Sequence, residues 1–170
     1  MSYARFAAMI VTSTLIMFGL MYLNTYAVEH VFFSETRAWM ALVMGATMAF
    51  VMLGFMWGMY PNRLANITIV VAAIGVFAAA LWLVRSQTTV DDVAYMRAMI
   101  PHHSIAVLTS ERARIRDHRV RDLADRIIAA QMREIDEMQT LLAALERSPV
   151  GDGAVDLRSY RERGAPPPAP

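Results

Sequence analysis

Met96, Met99, His102 and His103 lie within eight residues and offer two thioether sulfurs and two imidazoles. Soft thioether and borderline imidazole donors suit Cu(I). On a helix, residues 96, 99 and 103 share one face by the three-and-four rule, and His102 points about 100° away from His103. A second helical stretch carries Gln131, Glu134, Ile135, Asp136 and Met138. If the two stretches pair antiparallel about Asp117, Met96 comes level with Met138, Met99 with Ile135 and His103 with Gln131. Three thioethers and one imidazole then share a buried stretch, with Glu134 and Asp136 placed to orient the imidazoles.

Other chemistries are poorly served. With no cysteine, disulfides, thiolate metal sites and Cys nucleophiles are excluded. The donor set matches neither a structural zinc site nor a Mg/Ca site. No Glu-x-x-His occurs, so a di-iron carboxylate bundle centre is set aside. Ser104 and Thr109 have no evident triad partners, and the chain reads as a non-enzyme. The metal reading competes with plain packing: a Met stripe at helical spacing fills cores. A buried His is satisfied equally well by Gln131 or by the carbonyl freed at Pro101.

The elements that must position these residues are two helices. The first is expected over about 90–114, opened by Thr89 with Asp92 three residues on, as in a capping box. Pro101 predicts a kink or a helix restart, because it lacks an N–H and clashes with the Arg97 carbonyl. The apolar period lapses at Arg116-Asp117-His118, and a second amphipathic helix follows over about 120–146. Arg112, Arg114, Arg116, Arg119 and Arg121, interleaved with acids, read as the solvated end of this hairpin. Residues 149–170, rich in Gly, Pro and charge, are expected to be disordered. Two amphipathic helices cannot hide both apolar stripes alone. A dimer forming a four-helix bundle is the simplest solution, with the apolar spans or another membrane protein as alternatives.

Upstream the chain changes character. Of its 170 residues 56% are hydrophobic, and most of the charge follows Arg85. The runs 6–23, 38–60 and 64–84 contain no charged residue, and each approaches or exceeds the roughly 20 residues that cross a bilayer. Tyr22, Tyr26, Trp39, Trp57, Tyr60 and Trp82 sit near their ends as an interfacial belt. The fold class is therefore all-α: a membrane domain over 1–85 with three transmembrane helices, a helical-hairpin domain over 86–148 and a tail. The first span lacks a clean cleavage site and reads as a retained anchor. Arg5 before it, against Glu29 and Glu35 after it, favours an N-terminus inside and the hairpin outside, although the other flanks disagree. In the second span Met40, Met44, Met48, Met52 and Met56 recur every four residues, a row that drifts about 40° per step and so winds around the helix. Ala41, Gly45 and Ala49, with the pair Gly54 and Gly58, predict close helix packing. The net charge of +1, with sixteen Arg and no Lys, gives no field for nucleic acid.

Met99-Ile100-Pro101-His102-His103, followed by Gln131, Glu134-Ile135 and Met138, resembles the signature of the domain of unknown function 305 family over about residues 90–146. Tyr22-Leu23-Asn24-Thr25-Tyr26 and Phe33-Ser34-Glu35-Thr36-Arg37 resemble its membrane-anchored branch. The resemblance implies a helical bundle related to ferritin-like folds, usually periplasmic or secreted, with some members linked to copper through Met and His. It implies Met99, His102, His103 and Met138 as metal-binding residues, Met96 being added by the pairing argument. It also places the hairpin on the periplasmic side of a bacterial inner membrane. The expected function is Cu(I) buffering or transfer. The alternative is a non-catalytic structural or interaction subunit of a membrane assembly, without metal.

Overall fold

The structure is a computed structural model and describes residues 2–151, 153–159 and 162–164. Five α-helices follow one another: α1 Tyr3–Leu20, α2 Glu35–Phe55, α3 Arg63–Ser86, α4 Asp92–Arg112 and α5 His118–Arg147. Each start has a side-chain cap. Ser2 Oγ accepts from Ala4 N, Ser34 Oγ from Arg37 N, Asn62 Oδ1 from Ala65 N, Asp91 Oδ1 from Ala94 N and Asp117 Oδ1 from Arg119 N. These bonds occupy amide donors that have no partner within the helix. The cap of α4 is therefore Asp91 and not the expected Thr89, since the ionised carboxylate bonds the free amide more strongly.

Helices α1, α2 and α3, of 18, 21 and 24 residues, are long and apolar enough to cross a membrane. α2 stops five residues short of the expected Tyr60 and gives way to a 3-10 turn, Trp57–Met59. Pro61 keeps Tyr60 extended, so the helix cannot run up to it. α3 ends in the left-handed residue Gln87, at φ 53°, a usual way of closing a helix C-terminus. α2 packs against both α1 and α3. Of its small-residue ladder Ala41 and Gly45 are buried and Ala49 is half-buried, and a Cβ at Gly45 would run into Thr14 Oγ1 of α1. Phe6, Leu53 and Tyr60 form a core packed by Met52 and Met56, whereas Met40 and Met59 are exposed. The Met row thus winds from one environment to another.

α4 and α5 form the expected antiparallel hairpin. α4 runs through Pro101 without the restart that was one of two expectations. Pro101, Ile100 and Ser104 are all fully buried, and that burial outweighs the one lost backbone bond. Met96, Ile100, Ile135, Met138 and Leu142 make the hairpin core. Phe32, Val93, Met99 and Leu145 pack against it. Phe32 belongs to the connector between α1 and α2, so the hairpin stripe meets the membrane-proximal part of its own chain. Beyond Arg147 the described residues form no helix or strand. The expectation of a disordered tail falls partly outside the described residues.

Candidate metal centre

α4 places Met96 and Ile100 on its buried face, with His103 one turn further along. Met96 and Met138 meet in the core with Ile100 and Ile135, and Met99 packs on the edge of the same cluster. Met96, Met99 and Met138 therefore belong to one apolar cluster. His103 Nδ1 lies 3.1 Å from Glu134 Oε2. The approach is close enough for an ion pair but is not aligned as a hydrogen bond. The same carboxylate oxygen accepts from Gln131 Nε2 at 3.4 Å. His103 therefore meets Glu134, one of the two carboxylates expected to orient the imidazoles and one turn beyond the Gln131 expected level with it, and Gln131 bonds to Glu134.

The His103 side chain is 13% exposed. Burial pushes its pKa below the ordinary imidazole value; the Glu134 carboxylate opposes that shift and His102 reinforces it. A neutral imidazole presents a lone pair that suits a metal, and the Glu134 carboxylate lies on the Nδ1 side of the ring. His102 is exposed, with its ring 6.0 Å from that of His103 and tilted by 56°. It lines a separate cleft that Met99 also borders. The five candidate residues thus divide: Met96, Met99 and Met138 at the core, His103 beside Glu134, and His102 outside. Asp136 is exposed, and no contact joins it to either imidazole among the described residues. No group of three His, Cys, Asp or Glu side chains converges among the described residues. By donor type the set fits a soft monovalent ion better than a hard or carboxylate-bound one.

Ser104 and the connector were not foreseen. Ser104 Oγ accepts from Tyr26 N at 2.7 Å and lies 2.9 Å from His30 Nδ1. The Ser104 hydroxyl thus joins the Tyr26 amide and the His30 ring in one buried contact. Ser104 is fully buried, so this Ser–His contact fastens the connector to α4 and does not present a nucleophile. The connector is braced at its other end by Ser34 N donating to Tyr22 Oη, Arg37 Nη1 donating to Met21 O, and the Arg37 guanidinium lying over the Tyr22 ring. The resemblance over Tyr22–Tyr26 and Phe33–Arg37 was the signal here; nothing in the spacing of Ser104 alone foretold it.

Residues 92–167 match the profile of a family described as "Domain of unknown function (DUF305)". The match covers α4 and α5 and leaves out the three apolar helices. An uncharacterised protein of Acanthamoeba polyphaga mimivirus is 36% identical over 77 residues, which are 44% of this chain and 51% of that protein. The chain thus spans about half the length of this curated relative. No solved structure matches.

Proposed function

We propose that this chain is a membrane-anchored protein that binds Cu(I) through thioether and imidazole donors and buffers it or hands it on. The observation that carries the reading is the grouping of Met96, Met99 and Met138 beside a largely buried His103 whose Nδ1 faces Glu134. Met96 and Met138 hold side-chain sulfurs on flexible stems that can turn toward an ion, and His103 and Met99 supply donors at the edge of the core. His102, on the outer side, is where an incoming ion would first be met. The three apolar helices anchor the chain in a bacterial inner membrane with the hairpin in the periplasm; Arg5 ahead of α1 supports that direction. A second copy covers the flank of α5 where Val120, Leu123, Ile127 and Leu141 remain exposed.

The test is a Cu(I) titration of the detergent-solubilised full chain against a competing chelator. Met99→Leu keeps the core volume and removes a donor. It should weaken binding about tenfold or more, and His103→Ala should do at least as much. Saturating copper should also raise the melting temperature of the wild type, as any ligand of the folded state does. Equal, weak binding by all three proteins would overturn the copper reading. The packing of Met96 and Met138 among Ile100, Ile135 and Leu142 would then favour a metal-free interaction module. Because the chain has no cysteine, Thr109→Cys reports sidedness by its reaction with an impermeant maleimide in intact cells, and Leu123→Cys reports pairing by disulfide crosslinking. Protection of the first or monomeric behaviour of the second removes the corresponding part of the proposal.

A further inference from the structure

The end of the connector between α1 and α2 turns its sides the opposite way from a loop bathed in water. Val28–His30 is one 3-10 turn. Val31 closes it in extended backbone, and Ser34 at the start of α2 is extended too. Burial alternates along this stretch: His30 and Ser34 are buried and Phe32 is half-buried, whereas Val31 is 44% and Phe33 62% exposed. An extended chain sends successive side chains to opposite sides. His30, Phe32 and Ser34 therefore form an inner row, and Val31 and Phe33 an outer one. Val28 is 83% exposed, and residues three apart in a 3-10 turn eclipse, which brings Val28 into line with Val31. Glu29 is exposed as well, but it follows Val28 by about 120° of rotation and so leaves on another side of the turn. Two polar side chains thus lie inward and three apolar ones lie outward along one row.

The inner row is fastened to protein. His30 Nδ1 lies 2.9 Å from Ser104 Oγ, and Phe32 packs on the hairpin core. Ser34 Oγ accepts from Arg37 N, and Ser34 N donates to Tyr22 Oη at 3.0 Å. The outer row meets α1. The Phe33 ring stands edge-on to Phe18 in the last turn of that helix, with centroids 6.0 Å apart and planes at 62°. Leu20 and Leu23 beside it are exposed. The outer row is therefore continuous with the surface of a helix long and apolar enough to cross a membrane.

We propose that Val28, Val31 and Phe33 are seated in the bilayer leaflet that surrounds α1, so that the connector lies along the membrane surface as an in-plane anchor. The main chain of an extended segment carries polar groups that find no partners in hydrocarbon. It stays at headgroup depth while the three side chains reach the acyl boundary, as in other interfacial segments. Tyr22 fits that depth: its ring touches Phe18 below, and its hydroxyl accepts from Ser34 N in the connector. Because the inner row holds α4, seating the outer row keeps the hairpin core against the leaflet. The inference rests on the membrane-anchored reading and is independent of copper.

The chain has no cysteine, so Val28→Cys, Glu29→Cys, Val31→Cys and Phe33→Cys each take a single nitroxide spin label. The full chain is reconstituted in liposomes of phosphatidylcholine and phosphatidylglycerol. Collision rates are measured with molecular oxygen, which concentrates in hydrocarbon, and with a water-soluble nickel chelate. Leu15→Cys on α1 and Thr109→Cys on α4, both at exposed positions, set the lipid and water ends of the scale. Labels at 28, 31 and 33 should favour oxygen over nickel severalfold more than the label at 109 does, approaching that at 15. The label at 29 should favour nickel. Each label leaves the other two apolar side chains in place, so a fold lost in one variant does not remove the test. Nickel-favouring labels at 31 and 33 would show that water covers the row and overturn the proposal. Labels shielded from both reagents would show a second protein surface there and overturn it equally. A nickel-favouring label at 15 would bring down the membrane reading and this proposal together, whereas failure at 31 and 33 alone leaves the three-helix anchor standing.

Discussion

His103 joins burial, charge and the proposed chemistry in one side chain. Desolvation favours its neutral form, and that effect exceeds the pull of the Glu134 carboxylate. A group whose folded pKa lies below its unfolded value binds more protons in the unfolded chain at intermediate pH. Its contribution to stability is therefore present above the ordinary imidazole value of about 6.5 and is lost as pH falls through it. The metal-free full chain should melt at a lower temperature at about pH 5.5 than at about pH 7.5. His103→Gln, which keeps a polar group near Glu134 but does not titrate, should flatten that difference. Parallel melting profiles for the two proteins would remove His103 as the cause. At this scale the thioethers were legible, because Met96 and Met99 follow the helical period and Met138 sits opposite them. Glu134 was legible too, as one of two carboxylates placed to orient the imidazoles; the level pairing of His103 with Gln131, counted from an assumed turn centre at Asp117, is off by one helical turn.

Helix identities and most ends were readable from charge-free runs, caps and punctuation at Pro61 and Asp117. What spacing could not say was which small residue receives a neighbour. Gly45, Gly54 and Gly58 look alike in sequence, yet a Cβ at Gly45 would meet Thr14 while nothing lies within 4 Å at Gly54 or Gly58. Thr14 cannot easily yield, because its hydroxyl is bonded to Ile10 O at 2.8 Å and its χ1 is stiff. Gly45→Val should therefore push α1 from α2 and cost about 1–3 kcal/mol, read as a lower melting temperature in detergent. Thr14→Ala in the same chain should restore much of it. Gly54→Ala, which adds a methyl to open space and improves helix propensity, should leave melting unchanged or slightly raised. Equal losses at positions 45 and 54 would show that the approach of Thr14 to Gly45 is not what sets the cost.

Across the whole molecule, the apolar helices and the hairpin are one packed structure. The sequence suggested two units and left open whether the hairpin stripe meets another copy or the spans. Phe32 packs on the hairpin core, and Ser104 receives Tyr26 and His30. These contacts join positions more than seventy residues apart for Ser104, a pairing that local periodicity does not encode. The apolar face of α4 is consequently covered within one chain, while α5 keeps its other flank exposed. A hairpin made without residues 1–85 loses Phe32 and leaves Ser104 with neither connector partner. It should retain helical far-ultraviolet dichroism but show weak amide protection along α4, because an exposed core edge and an unpaired buried hydroxyl both favour local opening. Ser104→Ala in the full chain should reproduce part of that loss, about 1 kcal/mol, the cost of leaving the partly buried Tyr26 amide without its Ser104 acceptor. If the isolated hairpin protects α4 as well as the full chain does, the connector is a passenger and the hairpin core stands without it.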